Sequence, residues 1–498
     1  MKEHFPILVV IIPLFISVVI FLFGLKRYRH EWHLSMAATF LSFLISLSLL
    51  NTVLRTGPVS YWLGGWAPPW GIEYKVDYLS GFMLVTVSLV VFIITIYAGK
   101  SVKKEIGEEG TAPFFALYML LVTGLLGIIV TGDMFNLYVF LEITSLSAYA
   151  LVGAGHKRRA LVAGFNYLIL GSIGACLYLL AVGYLYIMTG TLNMADLSQR
   201  LPAIYDSRVI FSAFALFMAG LSIKMALFPL HTWLPDAHGL APSVVSPILS
   251  GCVIEVGAYA LIRIMFTVFK PYFSIELIPL TTILSWIAAI AMVIGSIFAI
   301  IQSDLKRMLA YSSVAQMGYI VLGIGLANRA GLTGAILHIL NHAFMKGCLF
   351  LVAGAIVYKM EMTNIYRFRG LYRKMPFTMA AFTIAAFSMI GIPPTCGFFS
   401  KLYLILGAID ARHWVFVAVI LISSILNVIY FFKVIEIAYF EPSESAHANN
   451  FHGKISIDEA PLTMLIPILV MGAGIILLGI FNGNIISAVI QFAIPAIF

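Results

Sequence analysis

Seven side chains able to take up or release a proton stand inside long apolar stretches: Glu142, Lys224, Glu255, His338, His342, Lys346 and Lys401. A charged group at the centre of a bilayer costs about 2.5–3.5 kcal/mol on insertion scales, so each needs a reason to be there. One lysine near a helix end is explained by snorkelling to the headgroups, and one pair by a structural salt bridge. Five carboxylates and amines on five different apolar segments point instead to a path for ions. His338, His342 and Lys346 are spaced i, i+4, i+8, so one helix face carries all three, about 6 Å apart per step. Imidazole takes a proton on one nitrogen and gives one from the other near neutral pH, which is relay chemistry. Burial disfavours the charged form of any amine, and a nearby carboxylate favours it. A Glu142–Lys224 pair that opens and closes would therefore turn the amine from a holder of its proton into a donor.

Two of the lysines sit beside helix breakers. Pro229 and Pro235 follow Lys224, while Pro393, Pro394 and Gly397 precede Lys401. Proline removes a backbone donor and clashes with the preceding turn, so both helices should be interrupted. Broken backbone at membrane depth is tolerated where it is buried in protein or lines a wet cavity. Paired breaks in the two halves of a chain point to a transport site. The segment HTWLPDAHG (231–239) offers two histidines and an aspartate as metal ligands, but reads better as the polar re-entrant connection after the first break. Cys176, Cys252, Cys348 and Cys396 read as small core residues. They form no CxxC pair and no iron–sulfur spacing, and His338 and His342 share one helix rather than facing each other across a haem. No metal and no cofactor is expected.

These side chains need many helices to position them. Of 498 residues, 61% are hydrophobic and 10% charged, against roughly 25% charged in soluble domains. This excludes a soluble enzyme, a disordered chain and a nucleic-acid binder, and leaves an all-α polytopic membrane protein. About fourteen stretches can cross roughly 30 Å of hydrocarbon. They are 6–25, 33–54, 78–99, 113–132, 134–154, 160–188, 208–228, 242–268, 276–301, 307–327, 331–357, 376–411 (interrupted), 413–440 and 461–481. The first reads as a retained span rather than a signal peptide, and 484–498 as a short partial segment. The longest polar connections, 51–77, 189–207 and 441–460, are too short to fold alone, so 1–498 is one membrane domain. Loops after odd-numbered spans carry seventeen Lys and Arg, and the remaining loops and the N-terminus carry eight. The positive-inside rule then places both termini on the outer side of the cell membrane. A faint duplication relates SLSAYALVG (145–153) to AQMGYIVLG (315–323).

Five motifs in order make the chain familiar: FLEITSLSAYAL, LSIKMALFPLHTWLPDAHGLAPSVVS, QSDLKRMLAYSSVAQMGYI, HILNHAFMKGCLFLVAG and GIPPTCGFFSKLYL, across roughly 75–440. The chain resembles the antiporter-like, proton-translocating subunits shared by respiratory complex I, multi-subunit Mrp-type cation/proton antiporters and membrane-bound hydrogenases. The resemblance implies fourteen helices with two inverted five-helix repeats, spans 4–8 (113–268) and 9–13 (276–440). It implies a Glu142–Lys224 pair, a central His338/His342/Lys346 connection and a terminal Lys401. It also implies partner subunits: other antiporter-like and small membrane subunits, with a hydrogenase or a quinone- or ferredoxin-linked module in some settings. Protons, with sodium as a possible coupled ion, would be the cargo. One position departs. Many relatives have lysine where this chain has Glu255, which would pair with Lys224 or Lys346, carry protons itself or suit a cation; a carboxylate alone does not select sodium. The chain ends soon after the fourteenth span and its terminal charge is a lysine. The resemblance is therefore greatest to the D-type Mrp subunit or its counterpart in a membrane-bound hydrogenase or related complex. Two readings compete: a stand-alone secondary transporter of a small solute, and a membrane redox subunit.

Overall fold

The computed structural model describes all residues except 1, 26–29, 156, 442–456 and 496. Among the described residues, twelve helices are long and apolar enough to cross a membrane. They include α1 (Phe5–Leu25), α2 (Glu31–Thr56), α3 (Tyr78–Ile106), α4 (Thr111–Val130), α5 (Met134–Gly153) and α6 (Arg158–Thr189). The stretch at 208–228 is interrupted as expected: α7 (Arg208–Lys224) ends in a turn, and the short α8 (Leu234–Leu240) follows. Next come α9 (Val245–Val268), α10 (Leu280–Ile301), α11 (Leu305–Gly325) and α12 (Arg329–Met360). The interrupted stretch 376–411 is α13 (Pro376–Ile390) and α14 (Cys396–Asp410), followed by α15 (Trp414–Tyr439) and α16 (Leu462–Ile480).

Burial sorts these helices. The most apolar window of α12 is 100% buried and that of α1 only 28%, so the helix carrying His338, His342 and Lys346 is the centre and α1 the rim. That inverts the soluble rule: the polar helix is inside, because lipid tails cannot satisfy its side chains. Small residues let helices close in. A Cβ added to Gly220 on α7 would lie 2.7 Å from the Gly174 carbonyl oxygen on α6. Side-chain caps fix several starts: Asp133 accepts from the Asn136 amide at 2.7 Å, and Asp304 from the Arg307 amide at 3.0 Å.

The same bridge recurs in each half. Asp133 pairs with Asn193, tying the start of α5 to the stretch after α6; Asp304 pairs with Asn364, tying the start of α11 to the stretch after α12. The amides follow suit: Met134 to Leu192 O at 2.9 Å, and Leu305 to Thr363 O at 2.8 Å.

Two sequence expectations need correction. The chain is not wholly helical, since β1 (Val59–Trp62) and β2 (Glu73–Val76) form an antiparallel hairpin inside the 51–77 connection. Val, Tyr and Trp in these strands favour pleated backbone, and Gly64 and Gly65, at φ of 64° and 79°, supply left-handed residues between them. Cys176 is exposed rather than a core residue; the other three cysteines are buried. After α16 the chain continues in short helical pieces, Asn482–Ile485, Ile486–Ile490 and Gln491–Ala493. Of the basic loop residues, Lys26, Arg27, Arg29 and Lys454, and most of the 441–460 connection, lie outside the described residues.

Candidate functional site

At the first break, α7 ends on Lys224 itself. The carbonyls freed there are recaptured locally. The Met225 amide reaches Leu221 O and the Leu227 amide reaches Ser222 O, each at 2.9 Å, and the Trp233 indole donates to Ile223 O at 3.0 Å. Trp233 in turn stacks on Tyr167 with centroids 3.9 Å apart. The break is thus held without using the lysine, whose amine is left to reach across to α5. Its Nζ lies 2.6 Å from Ser145 Oγ and 3.3 Å from Glu142 Oε1. The lysine side chain is 8% exposed and the glutamate 23%, so the pair stands at the edge of the protein interior.

In the centre, Glu255 of α9 meets His342 of α12, Oε1 against Nδ1, both fully buried. Of the roles the sequence left open for Glu255, pairing with Lys224 or Lys346 is not seen here; its partner is the imidazole. Two atoms of this pair, Glu255 Oε2 and His342 Nε2, have no hydrogen-bond partner. Buried polar atoms without partners are rare, and here they leave the pair able to bond elsewhere. His338 stacks one turn below His342 with centroids 6.1 Å apart. Its Nε2 contacts Gln316 Oε1 at 3.0 Å and its Nδ1 contacts Ser400 Oγ at 2.9 Å. Lys346 shares their face but turns away, donating to Leu309 O at 2.7 Å and to Ser312 Oγ. Its four-carbon stem lets the amine find carbonyl oxygen on α11 when no carboxylate is within reach.

At the second break, α13 ends at Gly391, whose φ of 98° turns the chain. Lys401 then reaches back from α14 to the carbonyls that the break exposes: Met389 O at 2.8 Å and Ile390 O at 3.0 Å. A cation at a helix C-terminus is favoured by the helix dipole and fills orphan acceptors. Ser424 Oγ at 3.1 Å and the Tyr319 ring at 4.7 Å complete its surroundings. Tyr319 also stacks on His338, at 5.6 Å. Glu255, His342, His338, Tyr319 and Lys401 therefore form one run of neighbouring side chains, joined by a hydrogen bond, two ring stacks and a cation–π contact, with Ser400 bonded to His338.

Gly391 carries this geometry. A Cβ there would come 3.2 Å from Lys401 Cδ, in a conformation costing an L-residue about 1–2 kcal/mol. Gly391→Ala should lower the thermal midpoint of the purified protein, and an unchanged midpoint would show the turn tolerates a side chain.

The structure does not join everything. No direct bond connects the Lys224 cluster to Glu255. Between them α9 packs on the break, where a Cβ on Gly257 would lie 3.1 Å from Met225 Cβ. Sequence reasoning missed Ser145, Gln316, Ser400 and Ser424, whose signal was only that of small polar residues in apolar runs. In the re-entrant segment, Asp236 pairs with Arg307 at 3.1 Å, and His238 lies buried against Phe350 with neither ring nitrogen bonded. Among the described residues, no three His, Cys, Asp or Glu side chains converge as metal ligands.

Comparison with known proteins gives a consistent match. Residues 131–427 match the family described as "NADH:quinone oxidoreductase/Mrp antiporter, TM". The chain is 48% identical over 502 residues to NADH-quinone oxidoreductase subunit N of Desulforudis audaxviator (strain MP104C), covering 99% of each chain. It is 32% identical over 476 residues to the putative antiporter subunit mnhD2 of Staphylococcus aureus (strain JH9), covering 95% of this chain and 93% of that one. Among solved structures, a chain of the membrane-bound sulfane sulfur reductase, an archaeal respiratory membrane complex, superposes with a TM-score of 0.88 at 30% identity. That match covers 98% of this chain and 96% of the other. With its matched core spanning both broken helices and every buried charge described above, the chain belongs to the NADH:quinone oxidoreductase/Mrp antiporter transmembrane family.

Proposed function

We propose that this protein is an ion-translocating, antiporter-like subunit of a multi-subunit membrane complex, and that it moves protons along Glu142, Lys224, Lys346, Glu255, His342, His338 and Lys401. The observation that carries the reading is that each helix break presents one buried lysine, and that a run of stacked and hydrogen-bonded side chains leads from the second of them back to the centre. Lys224 loads against Glu142 and Ser145; the central imidazoles pass the proton; Lys401 holds it among carbonyls until it is released. Lys346, bonded only to neutral oxygens, is the swinging member that bridges the dry stretch beside Met225 and Gly257. Water must enter there for the path to conduct.

The architecture belongs to the same proposal. The two broken pairs complete fourteen spans, and residues 113–268 and 276–440 are inverted repeats. Supporting this is the recurring Asp–Asn bridge, which lies in loops of opposite side by span order. Both termini then sit outside the plasma membrane, with the basic loops inside. Partners are the other membrane subunits of an antiporter or respiratory complex, as the names of the relatives suggest, and sodium enters only if one of them supplies its site.

The test uses the complete complex in sealed vesicles with a lumenal pH dye. Lys401→Gln keeps donors for the Met389 and Ile390 carbonyls but cannot carry a proton, so pH change should stop while the subunit stays in the complex. Proton movement at the parental rate in this variant would overturn the relay.

A further inference from the structure

α9 carries Glu255, Tyr259 and Arg263 at four-residue spacing, so one face leads from the central carboxylate to the helix end about 12 Å away. The helix widens into π-helical turns on both sides of this stretch, at Leu249–Val253 and Arg263–Val268. At the far end Arg263 grips Asp77 with both terminal nitrogens, Nη1 at 2.5 Å from Oδ2 and Nη2 on Oδ1. Its Nε donates to the Tyr259 hydroxyl at 2.9 Å, and that hydroxyl donates to Ile129 O of α4 at 2.7 Å. Asp77 also caps α3, accepting from the Ser80 amide at 3.0 Å. One buried ion pair therefore pins α3, α4 and α9 together.

Beyond the pair, towards the face whose loops are poor in Lys and Arg, lies a cavity of about 50 Å³. Asp77, Tyr259 and Arg263 line it together with Glu73, Lys75 and Thr131. That is room for a few waters among polar groups. On the other side of the pair, Glu255 Oε2 has no partner. In the order of residues along α9, one tyrosine and one ion pair thus stand between this polar pocket and a carboxylate oxygen without a partner.

We propose that the Asp77–Arg263 pair, braced by Tyr259, is a latch that closes this end of α9, so that a proton on Glu255 passes to His342 instead of escaping across the membrane. The inference rests on the relay reading above. It makes Asp77, Tyr259 and Arg263 positioning residues that act on direction, not carriers. The latch does not respond to physiological pH. Burial pushes the Asp77 carboxyl up, but the Arg263 guanidinium and Ser80 outweigh it and hold it down to about 2. A carboxylate lowered in the folded state keeps its contribution above its unfolded value near 3.8 and loses it only as pH falls through about 2. Tyr259, Ser80, and the cavity-sharing Glu73 and Lys75 are the other groups around it. The latch is a standing seal, opened by movement of α9.

The experiment measures passive proton leak. The complete complex is placed in sealed vesicles under an imposed pH gradient with no driving substrate. Asp77→Asn should leak several-fold faster than the parent, equally at pH 6 and pH 8, and Asp77→Asn/Glu255→Gln should be tight again. Tyr259→Phe, which keeps the ion pair and removes only the brace, should give a smaller leak with the same dependence on Glu255; it carries the test if Asp77→Asn fails to assemble. Tight vesicles in the assembled variants would overturn the latch. So would a leak that persists with Glu255→Gln, because that would be general loosening. Failure of the relay itself reads differently, as normal pumping by Lys401→Gln.

Discussion

Lys224→Ala abolishes proton movement, with a loss of about a hundredfold or more, the scale of removing a positioned acid–base group, while the subunit remains in its complex. The structure explains why assembly survives. The Leu221, Ser222 and Ile223 carbonyls freed where α7 ends are satisfied by backbone amides or by Trp233, so the amine holds none of them. Its partners tolerate the loss as well. Ser145 is a neutral hydroxyl, and Glu142 is exposed enough to be hydrated. Lys224→Arg is the sharper variant. It keeps the positive charge and can fork onto Glu142, yet guanidinium does not give up its proton in a protein. Both variants should be equally inactive in the vesicle dye assay, with wild-type amounts of subunit by gel. Near-parental rates in Lys224→Arg would mean that the site needs only a charge, and the lysine would then be a structural ion-pair partner.

What the sequence made legible was position along the chain. The breaks at Lys224 and Lys401 were readable because proline and glycine act locally, and hydropathy located the spans because a bilayer imposes one length on all of them. Pairing was another matter. A lysine was one partner the sequence offered Glu255, since opposite charges attract, but packing of α9 against α12 places His342 there. The i, i+4, i+8 spacing on α12 gave a shared face but not what each side chain on it would bond. The two imidazoles stack, whereas Lys346, with more rotatable bonds, leaves the row for Leu309 O. The hydroxyls and amides that complete the run could not be ranked from sequence. Serine occurs throughout these helices, most often bonded to its own backbone, as Ser46 is to Ser42 O. Asp77 and Arg263 are 186 residues apart, and nothing short of the fold announces that they touch.

Glu255 is the position where the reading is most exposed, because one residue decides both assembly and transport. Glu255→Gln preserves shape, and its amide can still bond His342, so the change costs about 1 kcal/mol, the worth of one ordinary hydrogen bond. The complex should assemble in near-parental amount and lose about a hundredfold in proton movement, the scale of removing a positioned acid–base group. Glu255→Lys, the residue that the family resemblance would lead one to expect, should behave differently. It places an amine against His342 Nδ1, with Lys346 on the same face of α12, in a region sealed from solvent. Removing one partner of a buried pair costs about 3–5 kcal/mol, and each 1.4 kcal/mol is tenfold in an equilibrium. Assembled complex should therefore fall at least tenfold in Glu255→Lys. Adding His342→Gln should recover part of it, by replacing a ring that competes for the proton with a neutral acceptor. Equal assembly of the Lys and Gln variants would show that the site is wet enough to hydrate a cation. The Glu255–His342 contact would then be incidental to the path, which would run from Lys224 to Lys346 through water alone.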